Sequence, residues 1–422
     1  MTKWETVKLG DVCNITMGTS PKGEDINTIN GIPFFQGSAE FGNRYPAVAK
    51  FTTNPIRLAK KGDILFSVRA PVGDLNIANI DCCIGRGLCA IRSIDFLLQR
   101  FVEYALLFTK NKWSAINDSG SVFGCAKRND LLNFEIPWTK DVSVLKRVVG
   151  ILGALDDKIE VLREQNKTLE QMAQAVFQSW FVDFDIVRAK AAGLPAADVC
   201  KKYHITPDIY DLFPSTFSAD NLPLGWEKKK LGDVCRYSKE KTDQTSIETY
   251  ISTDNMNPNY GGIETASSVP DNGQSTCYKR GNILISNIRP YFKKIWYADK
   301  DGSCSNDVLV FIPADFGNNM LYLLLARDCF FDFVMSGANG AKMPRGDKKH
   351  IMTYPVIVPK KDLSLLFEAF ITPFFEKIIE NSKQIRTLEQ TRDTLLPQLI
   401  SGKLDVENVS LPSVNDEDIL KI

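Results

Sequence analysis

The chain states one programme twice. Trp4–Cys13 reads WETVKLGDVC and Trp226–Cys235 reads WEKKKLGDVC, with eight of ten positions identical. Lys60–Ser67 (KKGDILFS) returns as Lys279–Ser286 (KRGNILIS), and Lys167–Gln171 (KTLEQ) returns as Arg386–Gln390 (RTLEQ). Two copies of one supersecondary unit at nearly constant offset imply a pseudo-twofold molecule. Such a molecule suits a partner that is itself two-ended.

Each copy opens with a strand-rich stretch broken by Gly, Pro and Asn turns. The apolar runs Asp63–Val68 and Asn282–Ser286 read as strands. A long helical stretch follows each. The first carries a 4-3 apolar seam through Leu152, Leu155, Ile159, Leu162, Asn166, Leu169, Ala173, Val176 and Trp180. The second has Ile371, Phe374, Ile378, Asn381, Ile385, Leu388, Arg392, Leu395 and Leu399 at matching places. Asn166 and Asn381 interrupt the seams, as residues that fix helix register do. Gly153 and Pro373 predict a break near the start of each helix, and Pro397 and Gly402 mark the end of the second.

The expected fold is therefore α+β: two domains of similar mixed fold, separated by two long helices packed as an antiparallel coiled coil. The expected boundaries are 1–141 for the first domain, 142–184 for the first helical spacer and 185–225 for an extended, proline-punctuated linker with a helical turn or two. The second domain takes 226–361, the second spacer 362–402, and a mobile acidic tail 403–422. Between 14–59 and 236–278 little matches, which reads as one scaffold carrying two different inserts.

Net charge is zero, but unevenly built. Residues 1–140 hold 17 Lys+Arg against 13 Asp+Glu, and residues 226–361 hold 19 against 15, so each domain is +4. Residues 141–185 are 5 against 8, and 404–422 are 1 against 5. A matching basic excess in both copies is what a polyanion asks for.

Catalytic patterns are missing. There is no GxxxxGK[ST] and no GxGxxG after a strand. Asn54-Pro55-Ile56-Arg57 and Asn257-Pro258-Asn259-Tyr260 lack the second proline of an adenine-methyltransferase motif. Pro207-Asp208 and Pro270-Asp271 have no Asp/Glu-x-Lys to complete a nuclease pattern. Two histidines, His204 and His350, leave little for imidazole chemistry, and the ten cysteines show no CxxC pair. No metal site is expected, and the thiols read as buried or half-buried in a reducing compartment. With no signal-like start and no spanning apolar run, a cytoplasmic protein is expected.

Phe66-Ser-Val-Arg-Ala-Pro-Val-Gly73 with Gly85-Arg-Gly87, and Ile283–Phe292 (ILISNIRPYF), resemble the two target-recognition domains of type I restriction–modification specificity (S) subunits. Trp180–Asp185 (WFVDFD), Phe213-Pro214 and Leu222–Trp226 (LPLGW) are similar to that family's central region, although Ile186 stands where a proline is common. The resemblance covers about 1–408. It implies a subunit without catalytic residues that recognises a bipartite double-stranded DNA site, one half-site per domain. It also implies two methyltransferase (M) partners using S-adenosylmethionine and, in the full complex, two restriction (R) partners using ATP and Mg. No cofactor is expected in this chain and no membrane.

Base readout calls for Arg, Lys, Asn, Gln or Ser presented from loops. The candidates are Gln36, Ser38, Arg44, Arg69, Arg86, Lys127 and Arg128 in the first domain. In the second they are Asn255, Asn287, Arg289, Lys293, Lys294, Lys342 and Arg345. Arg69 and Arg289 look equivalent, because each follows the same strand. Trp180 and Phe181 are either core at the helix end or an aromatic dock for an M subunit. A helix of residues 154–182 would be a rod of roughly 44 Å, against roughly 34 Å for one turn of duplex, so the helices are expected to set the half-site spacing. The competing readings are a coiled-coil adaptor with two protein-binding domains and a self-contained enzyme.

Overall fold

The structure is a computed structural model that describes residues 3–113, 125–243, 245–270, 273–314, 316–340 and 342–406. It divides into two compact units, residues 1–161 with 384–422, and residues 162–383. Each unit takes one domain plus half of each long helix, so the spacers are not separate bodies. The acidic tail from residue 407 onward lies outside the described residues.

In the first unit the repeated WETVKLGDVC segment forms strand Glu5–Lys8, one helical turn Leu9–Val12, and the start of strand Cys13–Met17. The first strand pairs antiparallel with Glu135–Trp138, which leads into the long helix. Cys13–Met17 joins an antiparallel sheet with Leu88–Ser93, Ile64–Ser67 and Leu75–Ile77 in that order. A five-stranded sheet lies beside it in sequence, with Ile32–Phe35 parallel to Cys82–Ile84. Phe66, Phe101, Tyr104 and Trp113 fill a fully buried core with Leu145, Leu152, Leu399 and Ile400 of the helices.

The second unit repeats this plan. Glu227–Lys230 pairs with Pro355–Val358, and Cys235–Tyr237, Val308–Pro313, Ile283–Ser286 and Ile295–Tyr297 form the antiparallel sheet. Its second sheet, of four strands, again holds one parallel pair, Tyr250–Ile251 with Gly302–Cys304. These second sheets share a three-strand core, the parallel pair plus an antiparallel neighbour (Leu58–Ala59 in one, Ser275–Tyr278 in the other), but beyond it they differ, with five strands against four.

Both long helices run for 40 residues without a break, Val142–Phe181 and Lys361–Ile400. The expected interruptions are absent for physical reasons. Gly153 lies against Arg100, which donates to its carbonyl and whose guanidinium would have to give by a few tenths of an ångström to a Cβ there at 3.1–3.2 Å, and the helix runs on through it. Pro373 is exposed, and Thr372 Oγ1 bonds the Glu368 carbonyl within the turn that the proline weakens.

The helices run antiparallel within each unit. In the first, Arg392 meets Asp156; in the second, Asn166 meets Asn381 and Phe177 meets Phe367. Asn381 Nδ2 donates to Asn166 Oδ1 at 2.9 Å, and Asn166 Nδ2 reaches Ser382 Oγ at 3.3 Å. Asn381 is 1% exposed. The two seam asparagines therefore pair with one another, a bond that only one register allows.

Residues 185–225 hold three helices, more than the expected turn or two, and are not extended. Helices Asp185–Ala191, Ala196–Tyr203 and Pro207–Leu212 fold back, and Ile186, Val187, Val199, Ile205 and Phe213 enter the second core. Pro195 and Pro207 stand at helix starts instead of stretching the chain: Pro195 caps the helix Ala196–Tyr203, and Pro207 occupies the first position of its own, where its missing N–H costs nothing.

The units differ where their helices meet their domains. In the first, Arg44 holds Glu103 by two bonds of 2.9 and 3.1 Å, Tyr104 donates to Asp156 at 2.6 Å, and Arg392 reaches Asp156 at 3.0 Å. At an offset of 219, Glu103 and Asp156 become Tyr322 and Phe375, which pack with Tyr297 at centroid distances of 4.9–5.8 Å. One junction is ionic and the other aromatic.

Glu170 sits beside that aromatic junction and accepts from the Tyr322 hydroxyl. Burial pushes its carboxyl above the usual range, and the tyrosine bond only partly offsets this. A folded value above the unfolded one gives stability that is present at low pH and lost as pH rises through the window above the ordinary carboxyl value. Glu170→Gln is expected to remove that loss and flatten the stability curve across the window. Chemical denaturation as a function of pH checks it; a steeper curve for the variant would contradict the assignment.

Candidate nucleic-acid interface

Three chain segments converge at the end of strand Ile64–Ser67. Val68 N–H donates to Gly87 O at 2.9 Å, Ala126 N–H donates to Val68 O at 2.9 Å, and Arg69 bridges to Cys125. Gly87 N–H donates to Gln36 O at 3.0 Å, and a Cβ on Gly87 would sit 2.5 Å from that oxygen, so the approach requires glycine. Ser20 Oγ donates to Gln36 Oε1 at 2.9 Å and accepts from Arg86 N–H at 3.3 Å. This brings Arg69, Arg86 and Lys127 to one place, all three exposed. Arg128 is also exposed and opens helix Arg128–Leu132; Gln36 and Ser38 are half-buried.

The second unit builds the same frame after strand Ile283–Ser286. Asn287 N–H donates to Asp307 O at 2.8 Å, Gly346 N–H donates to Asn287 O at 3.2 Å, and Ile288 bridges to Arg345. Ser67 Oγ bonds Arg69 O in one copy and Ser286 Oγ bonds Ile288 O in the other. Arg69 therefore corresponds to Ile288, not to Arg289, and the expected equivalence is off by one residue. Cys125 corresponds to Arg345, so each bridged pair carries one arginine, contributed from opposite strands. The frame also exchanges Arg86 for Asn306, Gly87 for Asp307 and Lys127 for Asp347. Arg345 lies 3.4 Å from Asp307, and Lys241 holds Asn306. One backbone arrangement thus presents a basic surface in one copy and a mixed acid, amide and base surface in the other.

Several expected contacts are committed elsewhere. Arg44 is inside the ionic junction; burial would push its guanidinium down, but Glu103 and Asp156 more than reverse this and hold it charged. Asn255 is 7% exposed and makes its bonds internally, accepting from Ser252 N–H at 2.6 Å and donating to Tyr250 O and Glu264 O. Asn287 is 8% exposed. Lys294 donates to Thr253 O at 2.7 Å, and burial pushes its ammonium down. Lys293 pairs with Asp328 at 2.7 Å and, with the Tyr260 hydroxyl, holds that carboxyl below the usual range. Arg289 and Lys342 are exposed beside the frame, where Arg289 N–H donates to Pro344 O. Trp180 and Phe181 are no surface dock: they are 2% and 3% exposed and pack on Phe367, Phe213 and Trp226.

Ser20, Lys241, Asn306, Asp307 and Asp347 join the site without having been expected. Carrying the offset of about 220 from Gly85-Arg-Gly87 lands on Ser305-Asn306-Asp307, so that signal was available for two of them. Among the described residues no cluster of His, Cys, Asp and Glu could hold a metal ion. Burial pushes the Cys82 thiol up to about 12, whereas Cys125 and Cys329 are exposed, contrary to expectation. Among the described residues, no helix is long and apolar enough to cross a membrane.

Two copies of one α+β fold, each showing different polar side chains on a shared backbone frame, define a two-domain recognition protein. The model of the type I restriction modification DNA specificity domain matches residues 1–171 and 223–390, and the chain belongs to that family. It is similar to a putative type I restriction enzyme MjaX specificity subunit from Methanocaldococcus jannaschii, 39% identical over 41% of this chain and 41% of that relative. It is 24% identical to the MjaIX specificity subunit of the same organism, over 96% of this chain and 94% of the relative. The HindI specificity subunit of Haemophilus influenzae is 25% identical, over 96% and 100%. The chain thus spans less than half of the first of these relatives and nearly all of the other two. A crystal structure of a type I S subunit from M. genitalium shares the fold with a TM-score of 0.54 at 17% identity, over 94% of this chain and 96% of that one. The protein is a type I specificity subunit carrying two DNA specificity domains.

Proposed function

We propose that each domain reads one half of a bipartite duplex site through the frame at the end of its central strand. The observation that carries this reading is the exchange of side chains on an unchanged backbone. Arg69, Arg86 and Lys127 suit guanine edges and phosphates, whereas Asn306, Asp307 and Arg345 offer an amide, a cytosine-amine acceptor and a guanine donor. Two methyltransferase subunits holding S-adenosylmethionine would supply adenine methylation. Two restriction subunits using ATP and Mg would supply cleavage. This chain would direct both and catalyse neither.

The test is selection of bound sequences from a randomised duplex library by the full chain, with affinity followed against salt. Two separated blocks and a steep salt dependence are expected. No sequence enrichment and a flat salt response would favour a protein-binding adaptor instead. Arg69→Ala is expected to relax one block by about 1–3 kcal/mol and leave the other intact, and Arg289→Ala to do the reverse. Equal losses in both blocks from either variant would contradict the two-reader arrangement.

A further inference from the structure

Beside the frame of the second domain stands an exposed apolar ridge, with Lys294 Nζ 5.9 Å from the Phe292 ring centroid. Tyr291 is 46%, Phe292 38% and Met343 50% exposed, among Arg289, Lys342 and Arg345. The two rings lie 4.7 Å apart. Their display is pinned. Arg289 and Lys293 flank a single turn of 3₁₀ helix with φ of 48° and 51°, a left-handed conformation that costs non-glycine residues about 1–3 kcal/mol each. Phe292 N–H and Lys293 N–H close the turn onto Arg289 O and Pro290 O, while Asn259 N–H and Tyr260 N–H bond Phe292 O and Lys293 O. Lys293 is tied to Asp328, and Pro344, next to Met343, accepts from Arg289 N–H. The corresponding loop of the first domain, Ala70-Pro71-Val72-Gly73, has no aromatic residue.

A rigid apolar ridge on a basic face needs an apolar target. Paired, stacked duplex hides its base faces and shows phosphates and base edges. The one apolar group on a major-groove base edge is the thymine C5-methyl. We infer that Tyr291 and Phe292, supported by Met343, read thymine methyl groups in the half-site of the second domain. This rests on the two-reader function proposed above.

The experiment uses the full chain and the duplex it selects. The block that Arg69→Ala leaves intact is assigned to the second domain, and thymidine there is replaced by deoxyuridine, which removes only the methyl. Affinity is expected to fall about fourfold per methyl for the parent protein. The Tyr291→Ala/Phe292→Ala protein is expected to bind both duplexes alike. A block without thymine, an equal response of parent and variant, or an unchanged parent affinity overturns the inference while leaving DNA reading in place. So does a rise in 2-aminopurine fluorescence in that block, because it would mean the rings wedge between bases. Failure of the parent protein to enrich any sequence overturns DNA reading itself, and this inference with it. The comparison of thymidine with deoxyuridine in the parent protein requires no variant to fold.

Discussion

Asp156→Ala is expected to destabilise the first unit by about 3–5 kcal/mol, the range for removing one partner of a buried charged network. Asp156 is 6% exposed and holds three groups: the Tyr104 hydroxyl at 2.6 Å, Arg392 at 3.0 Å and Arg44 at 3.8 Å. The variant leaves Arg44 with Glu103 alone and leaves Tyr104 and Arg392 with no acceptor at that point. Arg392 also touches Asp393, and Arg100 makes a separate pair with Asp157, so the damage centres on Arg44 and Tyr104. Asp156→Asn should cost less, because the amide oxygen still accepts from Tyr104 while the charge is lost. Denaturant unfolding of the full chain measures both; a loss below about 1 kcal/mol for alanine would mean that water replaces the carboxylate. The second unit fills the same places with Tyr322 and Phe375, and replacing a whole ionic cluster by apolar groups is often neutral or stabilising. The aromatic and ionic junctions are thus two solutions to one packing problem.

The second large effect concerns spacing. Under the proposed function the helix pair sets the distance between half-sites, and its length can be changed without touching either reading face. Asn166 and Asn381 meet, so register survives only if four residues are inserted after Asn166 and four before Asn381. Four helical residues add about 6 Å, nearly two base-pair steps of about 3.4 Å. The doubly lengthened protein is expected to select the same two blocks with a spacer longer by about two base pairs, and to bind the parent spacing at least about tenfold more weakly. An insertion in one helix alone separates the asparagines and slides apolar seam residues past one another, so it should fold poorly. Library selection reads the outcome, and an unchanged spacer would retire the idea of the helices as a ruler.

Much of this molecule was legible in the chain. The repeat located both copies of the strand–turn–strand opening, because it is encoded by residues close in sequence. The 3.5-residue spacing located both helices and singled out Asn166 and Asn381, which do pair. Gly153 and Pro373 do not break the helices, because tertiary contact outweighs local propensity: Arg100 lies across the one, and the packed faces on either side carry the helix through the other. Pro195 and Pro207 differ from the expectation for a related reason, since a proline at a helix start and one in an extended segment look alike until a core exists for the helix to pack on.

Fold class and duplication were determined by the sequence alone, because alternation and periodicity are properties of neighbours along the chain. Only the tertiary structure decided which polar side chains face outward. Arg44 and Asn255 are spent inside, Trp180 and Phe181 are core, and the arginines of the two bridged pairs come from opposite strands. Each of these depends on which distant segment closes against a residue, and that is fixed by burial and hydrogen-bond satisfaction across the whole unit.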